Sequence, residues 1–417
     1  MSESTVRPSM IALDDALARL LEQAAPLAET ETVSISEADA RVLARSVVSA
    51  LQVPPHDNSS MDGYAVRAGT VVASGVELAV SQRIPAGHFG EPLAPGSAAR
   101  IFTGAPMPAG ADAVVMQEDA EPLEGGARVR INAVPEPGQW VRRAGEDVMR
   151  GAVVLKKGER LSPASLGLAA GVGMAQLEVT RRPRVALFST GDELVTPGAI
   201  QPAQMPPGAI YNSNRFFLAA LLRRLGCVVQ DFGAVPDRLG ATVLALKSAA
   251  REHDLILTSG GVSGGEEDHV KPAIERLGTL DLWKIAIKPG KPFAYGYIAR
   301  PDGAAAHFMG LPGNPVSSFV TFLLLVRPFL LRLQGASRLD APALALRADF
   351  DWPRPGTRRE FLRARRNARG GLDLFANQSS GVLTSVNWAD GLIDHPAGSA
   401  IARGDTVRFI PFAEWLA

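Results

Sequence analysis

The stretch Asp254-Leu-Ile-Leu-Thr-Ser-Gly-Gly-Val-Ser-Gly-Gly-Glu-Glu-Asp-His-Val-Lys271 decides how the rest of the chain is interpreted. Residues 255–257 form a short apolar run, which is typical of a strand buried in a parallel sheet. The eight residues 258–265 carry no side chain longer than valine, so their N–H groups would allow close approach of an anion. Ligands of α/β sheets bind at the carboxyl ends of strands, where this loop lies. The stretch predicts an anion-binding loop. A plain glycine turn is the alternative, because the Gly-Lys-Ser/Thr of a Walker A loop is missing.

The composition is that of a folded, multidomain protein. The 417 residues allow roughly two to four domains, and 46% hydrophobic against 21% charged residues excludes a disordered chain. Lys+Arg and Asp+Glu number 43 each, so the basic excess of a nucleic-acid binder is absent. Residues 1–10 are polar and predict no signal peptide. The apolar stretch 316–333 is interrupted by serines, arginines and a proline, so we expect no membrane span.

Cysteine and histidine usage limits the chemistry. Cys227 is the only cysteine, which excludes an internal disulfide framework and a cysteine zinc cluster. The six histidines are scattered, without a His-x-His or His-Glu-x-x-His pair. No Ser-His-Asp or Cys-His set is evident for covalent hydrolysis. We therefore expect a cytoplasmic enzyme whose metal, if it uses one, has oxygen ligands.

Hydrophobic periodicity and turn residues divide the chain into four parts. Residues 10–25 and 37–48 have the spacing of amphipathic helices. Short strands then alternate with Gly/Pro loops, whereas residues 184–333 alternate strands with helices, which predicts a parallel sheet with helices on both faces. The predicted fold class is multidomain α/β plus β. The predicted domains are an N-terminal α-rich elongated domain (1–50 and 144–180), an inserted small β domain (51–143), a central α/β domain with a mainly parallel sheet (181–335) and a C-terminal β domain (336–417).

Four loops place carboxylates beside glycine or proline. They contain Asp62; Asp192 and Glu193; Asp237; and Glu266, Glu267 and Asp268. The last three loops follow strands of one predicted sheet and are expected to gather along one edge, which suits a hard divalent cation with phosphates. Each loop alone is also explained as a plain turn, and the acids at 266–268 as ordinary partners of a helix dipole.

Lysine is rare in this chain and is concentrated in one segment. Only seven of the 43 cationic residues are lysines, and four of these are Lys271, Lys284, Lys288 and Lys291. A compact ammonium and a planar guanidinium are not equivalent at an oxyanion, so the clustering indicates an anion site. Strand alternation predicts Lys284 and Lys288 on one face, with Lys291 beyond a Pro-Gly turn and pointing elsewhere. An exposed basic turn, clustered by chance, is the alternative.

The junction Leu311-Pro-Gly-Asn-Pro315 predicts the start of the long apolar helix. Asn314 stands at the capping position and Pro315 at the first helical position. A helix N-terminus in a sheet crevice is also an anion site, and the structural and functional interpretations can hold together.

Six motifs, in order along nearly the whole chain, resemble one family. They are Asp57-Asn-Ser-Ser-Met-Asp-Gly-Tyr-Ala-Val66, Thr103-Gly-Ala-Pro, Ser189-Thr-Gly-Asp-Glu-Leu194, Ser259-Gly-Gly-Val-Ser263 with Asp268, Lys288-Pro-Gly-Lys-Pro292 and Leu311-Pro-Gly-Asn-Pro315. The sequence resembles the MoeA family, which includes the E domain of gephyrin. The resemblance implies insertion of molybdenum from molybdate into adenylylated molybdopterin, with release of AMP and a requirement for a divalent cation, usually Mg²⁺. It also implies that residues 181–335 form a MogA-like molybdopterin-binding domain.

The resemblance further implies a homodimer, with the active cleft between the MogA-like domain of one subunit and the inserted β domain of the other. A MogA-type adenylyltransferase and molybdoenzyme maturation factors are further expected partners. The implied catalytic residues are Asp62, Thr103, Asp147, Glu193, Lys284 and Lys288; the substrate-binding residues are Ser259, Gly260, Gly261, Ser263, Lys291, Pro312, Pro315 and Ser380; the metal ligands are Asp237, Asp268 and Glu193. The sequence departs from the family at Gly264, where a bulkier residue is usual, and at Ser379, where a glycine usually precedes Ser380.

Two other functions stay open on the sequence alone. The chain would be a pterin-binding scaffold without turnover, against which its carboxylates argue, or the adenylyltransferase that makes adenylylated molybdopterin. Release of AMP on adding molybdate would separate a transferase from a scaffold. Formation of the adenylylated pterin from ATP would identify the adenylyltransferase.

Overall fold

The structure, a computed structural model, describes residues 10–235, 238–261, 269–300, 303–354 and 356–416. Within these ranges the strands form three six-stranded sheets and four two-stranded pairs. One large sheet belongs to the inserted β segment, one to the central α/β segment and one to the C-terminal segment, in agreement with the predicted fold class.

The central sheet is parallel across four strands and antiparallel across the last two. Its strands, in spatial order, are Val228–Val235, Arg184–Thr190, Leu255–Ser259, Ala305–Leu311, Pro292–Ala299 and Gly278–Lys284. The apolar run predicted as a buried strand lies in the middle of this sheet. Leu255 and Leu257 face one hydrophobic core, and Ile256 faces the other, because successive side chains of a strand point to opposite faces.

Helices cover both faces of the central sheet. Asn214–Arg224 and the long helix pack on one face, and Leu239–Ala250 and Val270–Leu277 pack on the other. The long helix runs over Pro315–Leu333 and contains a π-helical turn at Phe322–Val326. By length and composition this helix would suffice to cross a membrane, but 94% of its most apolar window is buried inside the protein. Burial, rather than the interruptions in its sequence, therefore identifies it as a core helix.

The N-terminal helix is shorter than predicted, at Leu13–Glu22, and Ala16 and Leu20 lie in the same core as the long helix. The helix predicted over 37–48 is wrong. A 3₁₀ turn at Ile35–Glu37 is followed by irregular backbone whose N–H groups bond to the returning 159–161 segment, including Ala40 to Leu161 at 3.0 Å. These long-range hydrogen bonds replace the helical ones, so tertiary context overrides the apolar spacing.

The two flanks of the inserted β segment pack against each other. Thr30–Ser34 pairs with Gln176–Thr180, and Val47–Val48 pairs with Val153–Leu155, both antiparallel. Between these pairs in sequence lies the helix Pro163–Gly171, capped by Ser162, whose side chain accepts the Ser165 N–H. The domain boundaries themselves stay a prediction.

The other two six-stranded sheets flank the central segment in sequence. The inserted sheet has the spatial order Ala113–Met116, Gly63–Val66, Ser97–Ile101, Val76–Ile84, Arg128–Ile131 and Ala120–Leu123. The C-terminal sheet has the order Ile287–Lys288, Arg359–Arg366, Gly391–His395, Thr406–Pro411 and Leu344–Arg347, and Leu372–Leu374 also pairs with Arg359–Arg366. The smaller elements are the pairs Leu194–Val195 with Ile210–Tyr211 and Asn58–Ser59 with Val141–Arg142, and the helices Thr384–Trp388 and Phe412–Leu416.

The edge strand Ile287–Lys288 comes from the central segment but joins the C-terminal sheet, parallel to Arg359 and Glu360. Lys284 and Lys288, which were expected on one extended segment, therefore belong to strands of different sheets. Ile285 and Ile287 are both fully buried, and Ile285 bridges to Ile11 in the gap between the two sheets. The chain leaves one sheet and enters another within three residues of Lys284, which connects the central and C-terminal segments at this point.

Candidate functional site

Two adjoining cavities lie where the central sheet meets the C-terminal segment. The first, the strand-end pocket, has a volume of about 580 Å³ and is lined by residues that include Thr190, Glu193, Asn214, Ser259 and Pro315. The second, the lysine pocket, has a volume of about 380 Å³ and is lined by residues that include Lys288, Lys291, Ser317, Arg358 and Ser380. Asn314 lines both, so the pockets are neighbours. A larger cavity of about 780 Å³, beside Asp14 and His395, contains none of the predicted site residues.

The strand-end pocket is built by the ends of two parallel strands and the start of a helix. Asn214, at the beginning of its helix, donates one amide hydrogen bond to Ser259 Oγ at 2.8 Å and another to the Gly313 carbonyl at 2.7 Å. Both Asn214 and Ser259 are buried. Three separate segments are thereby held together at the pocket wall, which fixes the Ser259 hydroxyl.

The first glycine of the glycine-rich loop has a structural role. Gly260 has φ +92°, and a Cβ atom there would lie 2.8 Å from Thr190 Oγ1, so only glycine fits. Its N–H donates to the Leu311 carbonyl at 3.0 Å. This N–H group is therefore used within the protein. Residues 262–268, which include Ser263 and Asp268, lie outside the described residues, so anion binding by the loop stays a prediction.

The lysine pocket brings together Lys288 and Lys291, with Arg358 beside them. Lys284, which was expected to share a face with Lys288, ends its strand in the central sheet and does not line this pocket. The shared face stays a prediction. Lys291, which was expected to point elsewhere, lines the pocket instead. The Pro-Gly turn therefore brings Lys291 back beside Lys288.

The turn between the two pocket lysines packs directly on the long helix. Gly290 has φ +107°, and a Cβ atom there would lie 2.4 Å from Thr321 Oγ1. Thr321 is fully buried. The glycine of Lys288-Pro-Gly-Lys-Pro292 is thus required for close approach, and the contact fixes where both lysines leave the turn.

The C-terminal segment fixes the loop that carries Ser380. The Val316 N–H donates to the Ser380 carbonyl at 3.0 Å, and Arg363 Nη2 donates to the Ser379 carbonyl at 3.3 Å. Arg363 is only 1% exposed, and burial lowers the pKa of its guanidinium to about 10. Ser379, where a glycine is usual, is therefore compatible with an ordered loop, and Ser380 lies beside the start of the long helix.

The predicted proline and asparagine positions differ in their surroundings. Asn314 occupies the N-cap position and Pro315 the first helical position, as predicted, but the Asn314 side chain makes no capping hydrogen bond. Asn314 instead lines both pockets. Pro312 is buried and is not among the residues lining either pocket.

Asp62 and Thr103 form a pair in the inserted β segment. The carboxylate oxygen Oδ1 of Asp62 accepts both the N–H of Thr103 at 2.8 Å and its hydroxyl at 2.7 Å. These bonds, the backbone one first, hold the pKa of Asp62 below its usual value, with a smaller contribution from the charge of Arg100. Among the described residues no hydrogen bond or ion pair joins Asp62 or Thr103 to either pocket. Neither residue is among those that line the two pockets.

Asp57 holds the loops around this pair in place. It accepts the Ala144 N–H at 2.8 Å and pairs with Arg143 at 2.7 Å. The backbone bond from Ala144 and the pairing with Arg143 outweigh burial and hold the pKa of Asp57 below its usual range. Asp147 follows in the same loop, with an exposed side chain and its N–H bonded to the Val53 carbonyl at 3.0 Å.

Only one of the three proposed metal ligands, Glu193, lies among the described residues. Glu193 is exposed at the rim of the strand-end pocket, while Asp237 and Asp268 lie outside the described residues. Within the described part of the chain no three acidic, histidine or cysteine side chains converge. One carboxylate does not make a magnesium site, so the described residues alone do not establish one.

Three family profiles match most of the chain: the MoeA N-terminal region (domain I and II) at residues 11–173, a probable molybdopterin binding domain at 186–332, and the MoeA C-terminal region (domain IV) at 345–412. The chain is 44% identical over 334 residues to a molybdopterin molybdenumtransferase from Haemophilus influenzae, covering 80% of each protein. It is 37% identical over 391 residues to one from Nostoc sp., covering 91% of this chain and 88% of the relative. The chain belongs to the MoeA family.

Other comparisons agree with membership of the MoeA family. The crystal structure of a MoeA protein from Pyrococcus horikoshii covers 97% of this chain and is itself covered completely, with a TM-score of 0.81 at 28% identity. Gephyrin from Dictyostelium discoideum is 32% identical over 394 residues, which cover 83% of this chain and 54% of gephyrin. The resemblance and the fold class predicted from the sequence are confirmed, and the chain is an enzyme, as its relatives are.

Several residues of the site were not predicted from the sequence. Asp57 is the first residue of a matched motif, and Asn214 lies in the segment predicted to alternate strands with helices, but neither position indicated its hydrogen bonds. Arg358 and Glu360 gave no local signal, because both act on a segment about 70 residues earlier in the chain, with Glu360 separated from Lys288 by 72 residues.

Proposed function

We propose that this chain inserts molybdenum from molybdate into adenylylated molybdopterin and releases AMP. The relatives supply the class of transferase. The observation that supports the substrates is the pair of neighbouring pockets with different chemistry. One is a roomy polar cleft at the ends of parallel strands, where α/β sheets bind organic ligands. The other is small, cationic and rich in hydroxyls.

The lysine pocket is the proposed site for the oxyanion. Lys288 and Lys291 supply ammonium groups, Ser317 and Ser380 supply hydroxyls, and the pocket lies beside the positive end of the long helix. Molybdate is a small dianion with four acceptor oxygens, so several donors can reach it together. Each charge-assisted hydrogen bond would contribute on the order of 1.5–3 kcal/mol.

The strand-end pocket is the proposed site for the pterin adenylate. Its volume of about 580 Å³ lies within the range of roughly 300–1,000 Å³ common to small-molecule sites. Ser259 is held by Asn214 and would present a fixed hydroxyl. Gly260, Gly261 and Ser263 are proposed to bind the same ligand. Asn314 and Pro315 form the border with the lysine pocket, so the dithiolene and the molybdate would meet there.

Mg²⁺ is proposed from the resemblance, with Glu193, Asp237 and Asp268 as its ligands. Among the described residues no hydrogen bond or ion pair occupies the Glu193 carboxylate, which suits a ligand position. When bound, such a cation would polarise the phosphoanhydride and stabilise the leaving AMP. The roles given to the lysines and hydroxyls do not depend on it.

We propose a homodimer in which the active cleft lies between the two subunits. Asp62 and Thr103 are ordered by each other, yet none of the described hydrogen bonds or ion pairs connects them to the lysine pocket of their own chain. We assign them, with Asp147, to the cleft of the partner subunit. The cytoplasm as location, and a MogA-type adenylyltransferase and maturation factors as partners, belong to the same proposal.

AMP release tests the proposed function. Purified protein is incubated with adenylylated molybdopterin and Mg²⁺, and AMP is measured with and without molybdate. We expect AMP to form only with molybdate and the product to activate an apo-molybdoenzyme. Binding of the pterin without AMP release would favour the scaffold, and ATP-dependent formation of the adenylylated pterin would favour the adenylyltransferase.

A further inference from the structure

A buried carboxylate lies directly behind one of the pocket lysines. The Lys288 ammonium donates to Glu360 Oε1 at 2.8 Å, across the parallel pairing in which the two residues are register partners. The Lys288 side chain is 48% exposed, whereas that of Glu360 is 1% exposed. The lysine therefore reaches the pocket from a base that belongs to the C-terminal sheet.

We propose that Glu360 is a positioning residue that fixes the Lys288 ammonium in the lysine pocket, so that the C-terminal sheet sets the geometry of a site formed mainly by the central segment. This inference rests on the proposed function for the role of Lys288. It gives Glu360 no contact with substrate.

Only a carboxylate satisfies the surroundings of Glu360. Oε1 accepts from Lys288, and Oε2 accepts from Trp352 Nε1 at 2.8 Å, so both neighbours are donors. A glutamine would turn its NH₂ group towards one of them. Burial opposes the ionisation of Glu360, but the bonds from Lys288 and Trp352 outweigh it and hold its pKa below the usual range.

The space around this carboxylate is also closely defined. A Cβ atom added to Gly356 would lie 3.0 Å from Glu360 Oε1 and 3.2 Å from its Cδ. The carboxylate therefore has little freedom to move on that side. An ammonium bonded to it has one N–H direction fixed, which leaves two donors for an oxyanion in the pocket.

The ion pair also sets the charge of the pocket. Glu360 neutralises Lys288, so the net positive charge offered to an oxyanion comes from Lys291 and Arg358. Removing the negative charge of Glu360 makes the pocket more cationic and releases the ammonium at the same time. Binding of an oxyanion and turnover should then change in opposite directions, which loss of a merely structural residue would not produce.

The experiment uses Glu360→Gln in the full-length protein. Inorganic molybdate binding is measured by calorimetry, and molybdate-dependent AMP release by steady-state kinetics. We expect kcat to fall by at least about 10-fold, since misplacing a catalytic group is costly, while the Kd for molybdate stays equal or becomes tighter. Combined with Lys288→Ala, Glu360→Gln should cause no further loss, because it acts through that lysine.

Asp394→Asn is the matched control. Asp394 is a buried carboxylate on the neighbouring strand that binds Arg359 through both oxygens, at 2.6 and 2.7 Å. This variant should lose stability and keep kcat. Gly356→Ala, which crowds Glu360 without changing it, should lower kcat in the same direction as Glu360→Gln and replaces it if that protein does not fold.

Three results would overturn the inference. The first is a kcat within about twofold of wild type in Glu360→Gln, or in Gly356→Ala if that variant replaces it. The second is a kcat loss of Glu360→Gln that multiplies with that of Lys288→Ala, and the third is weaker molybdate binding together with a kcat loss that Asp394→Asn matches. The molybdate Kd needs no turnover. If wild-type protein releases no AMP, the proposed function fails, and a weaker Kd in Glu360→Gln would still contradict the role given to Glu360.

Discussion

The Asp62–Thr103 pair and the Lys288–Glu360 pair show two ways of fixing a functional side chain. Asp62 is held by a residue 41 positions away, and both lie in loops at the ends of neighbouring strands of one six-stranded sheet. Lys288 is held by a residue 72 positions away, where the strand Ile287–Lys288 of the central segment pairs with the C-terminal sheet. The first pair forms at the ends of two neighbouring strands of one sheet, and neither of its residues lines a pocket. The second lies in a pocket but needs two segments to form.

The largest expected effect is on the lysine side of this comparison. Lys288→Arg should lower kcat/KM for molybdate-dependent AMP release by at least about 100-fold, because a planar fork cannot occupy the place of an ammonium between Glu360 and an oxyanion. Lys156→Arg, outside the cluster, is the control and should be silent. Near-normal turnover in Lys288→Arg, with both proteins folded by circular dichroism, would mean that the lysine cluster is an accident of composition.

Subunit mixing tests whether the two pairs meet across a dimer. Asp62→Ala and Lys288→Ala should each retain only about 1% of wild-type activity, which is low but measurable. Equal mixing with subunit exchange should restore about a quarter of wild-type activity, since half of the dimers are mixed and each has one intact cleft. Exchange is verified with differently tagged subunits. Exchange without any recovery would place both pairs in the same subunit's site or separate them altogether.

The metal proposal predicts a smaller change. Asp268→Asn should raise the Mg²⁺ concentration needed for half-maximal AMP release by about 10-fold, because an amide oxygen is a weaker ligand than a carboxylate for a hard cation. Asp281→Asn, an exposed carboxylate on an antiparallel strand, is the control. An unchanged Mg²⁺ dependence in Asp268→Asn would remove this residue from the site.

The smallest predicted effect concerns Asp62. Thr103→Ala removes the hydroxyl bond and keeps the backbone bond, so the pKa of Asp62 should rise part of the way towards its usual value. A carboxyl whose pKa is lower in the folded than in the unfolded protein stabilises the fold at a pH above its unfolded-state pKa. That contribution is lost as the pH falls through its folded-state pKa, so Thr103→Ala should lose it at a higher pH than wild type. Carboxyl NMR titration measures the shift, and Thr103→Ser should not show it. Identical titrations in all three proteins would mean that the hydroxyl does not act on Asp62.

The sequence predicted the parts of the fold that depend on local pattern. The buried strand, its alternation between two cores and the proline-started long helix all follow from apolar spacing and turn residues. The helix predicted at 37–48 was wrong because backbone N–H groups of this segment form long-range hydrogen bonds in place of helical ones. The extended segment expected to carry Lys284 and Lys288 is divided between two sheets, and nothing within it indicates where the chain changes sheets.

The residues of the candidate site also differ in how far local sequence predicts them. Motifs identified Lys288, Ser259 and the Asp62–Thr103 pair, since each stands in a short run of distinctive residues. Lys291 lines the lysine pocket, against expectation, because the turn at residues 289–290 returns the chain beside Lys288. Glu360, Asn214 and Arg358 act through tertiary contacts, so only the folded chain shows what they hold.

The most direct test is the position of the oxyanion. Crystals of the protein soaked in molybdate, at a concentration that saturates AMP release, are measured by anomalous diffraction at the molybdenum edge. We predict a molybdenum peak in the lysine pocket, at a position from which the molybdate oxygens accept hydrogen bonds from Lys288, Lys291 and Ser380. A peak elsewhere, with the lysine pocket empty while AMP release is saturated, would contradict the assignment.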